Sequence, residues 1–272
     1  MKIVAVVQAR TASTRLPGKT LLPVRGKPML QRMLERVAAA ATELDLIVAT
    51  TTGPEDDGIR DLTRSLGLPC YSGSPDDLLD RHVQAARLRH ADLVVKIPSD
   101  CPLISPEVMD RVLVDALAAG DAWDYDSNLH PQSYPDGNDV EVIPMDVLLQ
   151  AHAEAAQPHE REHTTPFIWD QPDRFRLRNL VWETGRDCSR THRFTVDYPE
   201  DFDFITAVYN ELWSTARPVF TLEDIMTLLA ARPDIHALNA RYLGVNWYRD
   251  HLDRLQTVGA ADTRRPEDAP WR

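Results

Sequence analysis

The sequence predicts an α/β fold in which a mostly parallel sheet is covered by helices on both faces. The first observation is a set of short, apolar, β-branched runs, such as KIVAVV at 2–7 and DLVVKI at 92–97, which are typical of buried parallel strands. The second is that these runs alternate with helical segments of about a dozen residues, as in consecutive βαβ units. The 272 residues, 43% of them hydrophobic, suffice for one large domain or two small ones with a sizeable core.

Strands and helices alternate regularly over the first 120 residues. A polar loop rich in Thr, Ser, Pro and Gly at 11–28 separates the first strand from the first helix. The further elements are expected, in order, as a helix at 29–41, a strand at 44–51, a helix at 55–66, a short strand at 68–71, a helix at 75–89, the strand at 92–97 and a helix at 105–119.

The alternation stops after residue 120. Residues 121–196 contain loops rich in His, Pro and Asp, with short strands expected at 140–143, 175–182 and 193–196. We interpret this stretch as a small arm or lid inserted into a domain that spans 1–213. Helices are expected again at 200–213, 221–231 and 240–254, so that 214–256 forms a helical extension. Residues 257–272 lack apolar periodicity and are expected to be a flexible tail.

The charge distribution argues against some classes of function and favours others. The net charge of −12 argues against a general nucleic-acid binder, whose binding face is basic. The first 34 residues nevertheless carry seven Lys and Arg and no Asp or Glu, which favours a local site for a small, highly charged anion. No apolar run approaches the ~18 residues that a membrane helix needs, and three cysteines are too few for a disulfide framework. We therefore expect a soluble, cytoplasmic protein with no nucleic-acid or membrane partner.

The loop after the first strand is the most informative segment. In VVQARTASTRLPGKTLLPVRGKPML, at 6–30, a buried strand leads directly into a loop with Arg10, Arg15 and Lys19. Ligands of open α/β sheets bind outside the carboxyl ends of the strands, so this loop lies where a substrate is expected. Three cations and the loop's backbone amides suit a triphosphate. Neither the Walker pattern nor G-x-G-x-x-G is present.

This loop resembles the signature of cytidylyltransferases that activate sugar acids, of the 3-deoxy-manno-octulosonate and acylneuraminate type. The chain is most similar to the spore coat polysaccharide biosynthesis protein F subgroup. The resemblance covers about residues 1–213 and does not extend to 214–272. It also rests on ATTTGPEDDGI (49–59), YSGSPDDLLDRH (71–82), IPSDCPLI (97–104), YPDGNDVEV (134–142), EREHTTPFI (160–168) and RFTVDYPEDF (193–202).

The resemblance implies a fold and a reaction. The fold is the three-layer, twisted sheet of nucleotide-diphospho-sugar transferases. The reaction is the Mg²⁺-dependent transfer of CMP from CTP to a small anionic acceptor, a sugar acid or a phosphorylated or phosphonate-bearing molecule, with release of pyrophosphate. The middle region then also serves acceptor binding and dimerisation, which predicts a homodimer.

Roles follow from the matching positions. Arg10, Arg15 and Lys19 are the expected catalytic cations, and Asp100 and Asp197, each just past a strand, are the expected metal ligands. The expected nucleotide-binding residues are Gln8, Ala9, Arg10, Ser13, Arg15, Lys19, Gly73, Ser74 and Asp77. The expected acceptor-binding residues are Asp136, Asp139, Glu141, Arg161 and His163.

Other interpretations of these residues stay open. Ser74 fits a helix N-cap with Pro75 in the first turn, and Asp100 and Asp197 fit turn or cap positions equally well. A nucleotide-sugar-dependent glycosyltransferase uses the same fold, although such enzymes usually carry Asp-x-Asp where this chain has Ser99-Asp100-Cys101. A non-catalytic nucleotide-binding subunit is a third alternative.

Overall fold

A seven-stranded mixed sheet forms the centre of the fold. The structure is a computed structural model that describes residues 1–268. The strands are β1 (Ile3–Gln8), β2 (Pro23–Val24), β3 (Lys27–Pro28), β4 (Asp45–Thr51), β5 (Cys70–Gly73), β6 (Leu93–Pro98), β7 (Tyr125–Ser127), β8 (Glu141–Pro144) and β9 (Leu177–Asn179). The central sheet has the order β5-β4-β1-β6-β8-β7-β9, and β2 and β3 form a separate two-stranded ribbon.

The first four central strands are parallel, as the apolar runs predict. β1 pairs with β4 and β6, and β4 pairs with β5, in parallel register. β8 runs antiparallel to β6 and to β7, whereas β9 is parallel to β7. β1 separates two strands that follow it in sequence, so the strand order reverses direction beside it. Such a switch point is where open α/β sheets bind ligands.

Helices cover both faces of the sheet. They are α1 (Met29–Val37), α2 (Asp57–Ser65), α3 (Leu78–Leu88), α4 (Pro106–Ala118), α5 (Met145–Glu154), α6 (Pro158–His163), α7 (Pro166–Trp169), α8 (Pro199–Leu212), α9 (Leu222–Ala231) and α10 (Pro233–His236). Ala5 and Val7 of β1 pack with α1 and α4, and Val4 and Val6 pack with α3 and α5, because successive strand residues point to opposite faces. A third apolar cluster joins α8 and α9 to residues of the loops beside them. No helix within residues 1–268 is both long and apolar enough to span a membrane.

The middle region is part of the sheet. Residues 121–196, expected as an inserted arm or lid, supply β7, β8 and β9. The strand expected at 193–196 does not form, because its backbone pairs with two loops instead. Phe194 N donates to Asp136 O at 2.7 Å, and Val196 N donates to Asp100 O at 2.8 Å.

The C-terminal part differs from expectation in two further ways. The continuous helix expected at 240–254 is replaced by two 3₁₀ turns, Ala240–Tyr242 and Trp247–Asp250. Gly244 separates them with a φ of +71°, which lies outside the helical region. Within the expected flexible tail, Thr263 and Arg264 are buried, and Arg264 N donates to Gly244 O at 3.0 Å. The last part of that tail, 269–272, lies outside the described residues.

Candidate active site

A cleft of about 960 Å³ opens where β1 and β6 end. Gln8 at the end of β1 and Pro98 and Ser99 at the end of β6 contribute to its lining. The cleft therefore lies at the switch point of the sheet, where loops from both halves of the parallel region meet.

The loop that follows β1 is anchored by Thr11. Its backbone N and its Oγ1 both donate to Oδ1 of Asp56, each at 2.7 Å. Gly18 then turns the chain with a φ of +70°, which strains any residue with a Cβ, and donates its N–H to Thr11 O at 3.0 Å. These contacts hold Arg15 and Lys19 against the cleft.

The two expected metal ligands meet at one ammonium group. Lys19 Nζ lies 3.2 Å from Oδ2 of Asp100 and 3.1 Å from Oδ1 of Asp197. It also donates to Val196 O at 2.5 Å, and its side chain is only 10% exposed. Two carboxylates that are far apart in sequence thus converge at the rim of the sheet, as the sequence predicts.

Asp197 is surrounded by cations. Arg15 Nη2 lies 2.6 Å from its Oδ1, and Arg193 Nη2 lies 3.1 Å from its Oδ2. Arg193 is almost fully buried and also contacts Asp136 and Asp201 through ion pairs of 3.0 Å each. The guanidinium of Arg193 thereby fixes three carboxylates relative to one another.

Electrostatics keep this cluster ionised. Burial alone would raise the pKa of Asp197, but Lys19, Arg193 and Arg15 outweigh it and hold that pKa well below its usual range. Burial likewise acts to lower the pKa of Lys19, and the carboxylates of Asp100 and Asp197 raise it above its ordinary value instead. Both partners are therefore charged throughout the neutral pH range.

The oxygen donors at this rim fit Mg²⁺. The ion prefers one or two carboxylates together with phosphate oxygens and water. Asp100 and Asp197 supply two carboxylates that line the cleft, and the Asp100 side chain is 30% exposed. Within residues 1–268, the one hydrogen-bond donor to its Oδ1 is the weak thiol of Cys101 at 3.7 Å. This oxygen is the most available ligand of the pair.

Two further carboxyl groups in the cleft have raised pKa values. Burial raises the pKa of Asp136 to about 6 even though Arg193 opposes the shift. Burial and the nearby Asp136 raise the pKa of Asp139 to about 8. Both carboxyl groups therefore keep a proton to higher pH than a free aspartic acid does, and the protonated form can donate a hydrogen bond.

On the expected nucleotide side of the cleft, two polar side chains have groups without a partner among residues 1–268. Gln8, Ala9, Arg10 and Ser13 all line it. The buried Oε1 of Gln8 has no hydrogen-bond partner among residues 1–268. The Arg10 guanidinium forms no ion pair within the same described range, in contrast to Arg15. The exposed Arg10 is available to a ligand, and Gln8 places an unpaired acceptor atom in the wall of the cleft.

Asp77 has a structural role that the sequence assigns to Ser74. It is the N-cap of α3, where its Oδ1 accepts from Asp80 N at 2.8 Å. Its Oδ2 forms an ion pair with Arg161, whose Nε lies at 3.0 Å. Asp77 and Arg161 line the cleft, whereas Gly73 and Ser74 are absent from the part of the lining that residues 1–268 describe.

The other expected acceptor-side residues also reach the cleft. Glu141 forms a buried ion pair with Lys96 and accepts from Tyr125 Oη at 2.8 Å. His163 stacks on Trp247 with ring centroids 3.8 Å apart, and burial lowers the pKa of this histidine to about 3. Glu141 and His163 are thus positioned by neighbours within the protein, and each lines the cleft.

Some lining residues are missing from the sequence prediction. Lys96 lies inside an apolar strand, and a lysine in a buried strand signals an ionic partner. Arg193 begins a segment that was predicted as a strand, and a buried arginine carries the same signal. Residues 245–251 line the cleft as well, and their sequence carries no signal because the resemblance ends before them.

The fold and the cleft define an α/β nucleotidyltransferase. The cytidylyltransferase family model matches residues 4–225, so this chain belongs to the cytidylyltransferase family. This family membership confirms the resemblance drawn from the motifs. It also favours nucleotidyl transfer over the glycosyltransferase and the non-catalytic alternatives.

Three relatives illustrate the family. An uncharacterized protein of Methanocaldococcus jannaschii is 36% identical over 242 residues, which cover 88% of this chain and 95% of the relative. The spore coat polysaccharide biosynthesis protein SpsF of Bacillus subtilis is 28% identical, with 85% and 95% covered. A 3-deoxy-manno-octulosonate cytidylyltransferase of Hydrogenovibrio crunogenus is 31% identical, with 75% and 83% covered.

A solved structure agrees with the fold. The cytidylyltransferase from Leptospira borgpetersenii is similar with a TM-score of 0.81 and 28% sequence identity. The match covers 86% of this chain and 96% of that chain. The expected nucleotide-diphospho-sugar transferase architecture is therefore confirmed.

Proposed function

We propose that this chain transfers CMP from CTP to an oxygen of a small anionic acceptor and releases pyrophosphate in a Mg²⁺-dependent reaction. The acceptor is a sugar acid or a phosphorylated or phosphonate-bearing small molecule. The observation that carries the proposal is the meeting of Lys19 with Asp100 and Asp197 at the rim of the cleft. This arrangement joins a cation for phosphate oxygens to two carboxylates for a metal ion.

The proposed reaction requires little covalent chemistry from the protein. The acceptor oxygen attacks the α-phosphorus in line, and positioning and charge stabilisation supply the rate. Arg10 has no ionic partner among the described residues and is free to bind the triphosphate. Arg15 and Lys19 line the same cleft, where Asp197 holds them through ion pairs of 2.6 and 3.1 Å. In this position they would neutralise charge on the phosphates and on the leaving pyrophosphate.

Mg²⁺ would be held by Asp100 and Asp197. When bound, the ion neutralises phosphate charge and stabilises the leaving pyrophosphate. Asp197 remains ionised because three cations lower its pKa, and Asp100 offers the more exposed carboxylate. The two residues thus have different tasks: Asp197 organises the cations, and Asp100 provides the open ligand.

The choice of CTP is supported by Gln8 and by the family. The unpaired Oε1 of Gln8 needs a donor, and the exocyclic amino group of cytosine is one. A uracil base presents an acceptor at the same position, so the Gln8 amide would have to turn its Nε2 toward the base to pair with it. We therefore propose Gln8 as a contact that favours cytosine.

The acceptor side is chemically suited to a hydroxylated molecule. Burial and Asp136 raise the pKa of Asp139, so that this carboxyl group donates a hydrogen bond when protonated, and ionised Glu141 accepts one. The relative from H. crunogenus is named for 3-deoxy-manno-octulosonate, a sugar acid, and SpsF is named for polysaccharide biosynthesis. A sugar acid is accordingly the acceptor class that we favour. The homodimer and the cytoplasmic location stay predictions.

Pyrophosphate release tests the proposal. Each of the four NTPs is incubated with a panel of sugar acids and phosphorylated or phosphonate acceptors, with and without Mg²⁺. We expect release with CTP, Mg²⁺ and at least one acceptor. Replacing Arg15 with Ala should lower turnover about 100-fold or more. Lys27→Ala is the matched control, because Lys27 belongs to the same basic segment but lies outside the described cleft lining. No release with CTP under any combination would refute the proposal.

A further inference from the structure

Residues 245–251 form one wall of the cleft although they follow the matched family segment, which ends at residue 225. The wall is hydrogen-bonded directly to Arg193, which forms ion pairs with Asp136 and Asp197. The carbonyl oxygen of Val245 accepts from Arg193 Nη1 at 3.1 Å, and Arg193 holds Asp136 and Asp197. A segment outside the family domain therefore contributes to the site itself.

This wall is anchored near its start at Asn246 and, beyond its end, at Thr257. Asn246 N donates to Oγ1 of buried Thr263 at 3.0 Å. Farther along the chain, Thr257 N and Oγ1 both donate to Oδ1 of Asp170, each at 2.7 Å. The adjacent Tyr248 and Leu255 are buried in the core that covers one face of the sheet. The wall is thus a built part of the cleft with a defined position.

Aromatic rings line this side of the cleft. Trp247 stacks on His163 at 3.8 Å with an interplanar angle of 17° and meets Trp169 edge-on at 6.2 Å. Trp169 in turn stacks on His130 at 4.3 Å. All four rings line the cleft. Trp247, which is partly exposed, is the ring that residues 245–251 contribute.

Polar groups adjoin these rings. The ring of Tyr125 lies 6.4 Å from that of His130, and its hydroxyl donates to Oε2 of Glu141 at 2.8 Å. A row of aromatic rings beside carboxyl groups suits a ring with apolar C–H faces and hydroxyl edges, because the faces pack on the aromatics and the hydroxyls meet the carboxyls. A cytosine ring needs no such set of hydroxyl partners.

We infer that Trp247 is the platform on which the acceptor's ring lies, and that residues 245–251 determine which polyhydroxylated acceptor this chain accepts. The inference rests on the proposed function, since it assigns the acceptor half of the same cleft. It adds a specificity-determining residue from outside the family domain.

Steady-state kinetics of Trp247 variants test the inference. Pyrophosphate release is measured for the full chain, Trp247→Ala and Trp247→Phe with CTP, Mg²⁺ and each sugar acid of the panel. We expect Trp247→Ala to raise the acceptor KM at least about tenfold, with kcat and the CTP KM within about twofold of the wild type. Trp247→Phe should restore most of the acceptor affinity, because a ring face is again available.

Trp213→Ala is the matched control. Trp213 is a partly exposed tryptophan that packs on Arg32 at 4.3 Å and lies outside the described cleft lining. It should leave all three kinetic constants unchanged. Circular dichroism and the Tm of each variant show whether the fold is intact. An unchanged acceptor KM in folded Trp247→Ala, or an equal rise in the CTP KM, overturns the inference.

A binding measurement separates this inference from the proposed function. If the wild type releases no pyrophosphate with any acceptor, the proposed function fails. The same proteins are then compared by saturation-transfer NMR with each sugar acid. If saturation is transferred to the ring protons of a sugar acid in the wild type but not in Trp247→Ala, the result supports Trp247 as the platform even without activity. Absence of binding to the wild type, or binding that Trp247→Ala leaves intact, overturns it.

Discussion

Lys19 and Asp197 are 178 positions apart in the chain, yet their charged groups lie 3.1 Å from each other. The same ammonium reaches Asp100 at 3.2 Å. The basic segment at the start of the chain and the two distant acidic positions thus form one unit. This unit is the physical basis of the proposed chemistry.

Replacement of Lys19 should affect catalysis more than folding. Lys19→Met removes a cation that contacts both carboxylates, whereas Arg15 and Arg193 still pair with Asp197. We expect kcat/KM for CTP to fall about 100-fold or more, as for other charge-stabilising donors. Pyrophosphate release measures the effect, and Lys27→Met is the control on the same basic segment. Wild-type kcat/KM in folded Lys19→Met would contradict this prediction.

Asp100 should couple nucleotide binding to Mg²⁺. Ligands that bind the native state raise its Tm, so CTP with Mg²⁺ should stabilise the wild type more than CTP alone. Asp100→Asn keeps the shape but loses the charge of the open ligand, and we expect the Mg²⁺-dependent part of the Tm increase to disappear. Asp61→Asn, on the exposed face of α2, should retain it. An equal Mg²⁺ effect in Asp100→Asn would argue against Asp100 as a ligand.

Arg193 should be the main stabilising residue of the cluster. Its side chain is 2% exposed and is paired with Asp136, Asp197 and Asp201. Arg193→Met leaves buried carboxylates without their partner, which costs about 3–5 kcal/mol in comparable cases. Urea unfolding should show this loss, while Arg64→Met, at an exposed ion pair, should change the free energy of unfolding by less than about 1 kcal/mol. Equal effects in the two variants would disprove the role of Arg193.

The sequence predicts most of the parallel half of the sheet because β1, β4 and β6 are mostly apolar runs, whereas β5 is a short strand that begins two residues later than expected. It also predicts that Lys19 and Asp100 approach each other, since the carboxyl ends of the parallel strands β1 and β6 meet at one edge. Asp197 reaches the same edge although the strand expected before it does not form, because Val196 N donates to Asp100 O at 2.8 Å. β7 has only three residues, which is too few for a clear pattern, whereas β9 lies within the longer strand expected at 175–182. The contribution of Trp247 is harder still to predict, because long-range packing of a segment without periodicity decides it.

His82 should make the stability of the fold sensitive to acid. It is fully buried, its Nδ1 donates to Leu78 O at 2.9 Å, and burial lowers its pKa to about 3.

In the unfolded chain a histidine binds a proton below a pKa of about 6.5, whereas folded His82 stays neutral until pH 3. The stability that it contributes is therefore fully present above pH 6.5 and is lost as the pH falls toward 3. Near pH 5, the contribution of His82 to the change in the free energy of unfolding with pH approaches about 1.4 kcal/mol per pH unit. Urea unfolding at several pH values measures how the free energy of unfolding depends on pH. In His82→Gln, this dependence should correspond to about one proton fewer taken up on unfolding than in the wild type. Leu79→Val, a buried change on the same helix, should lower stability without altering this pH dependence, and a wild-type pH dependence in His82→Gln would show that His82 is not the group that titrates.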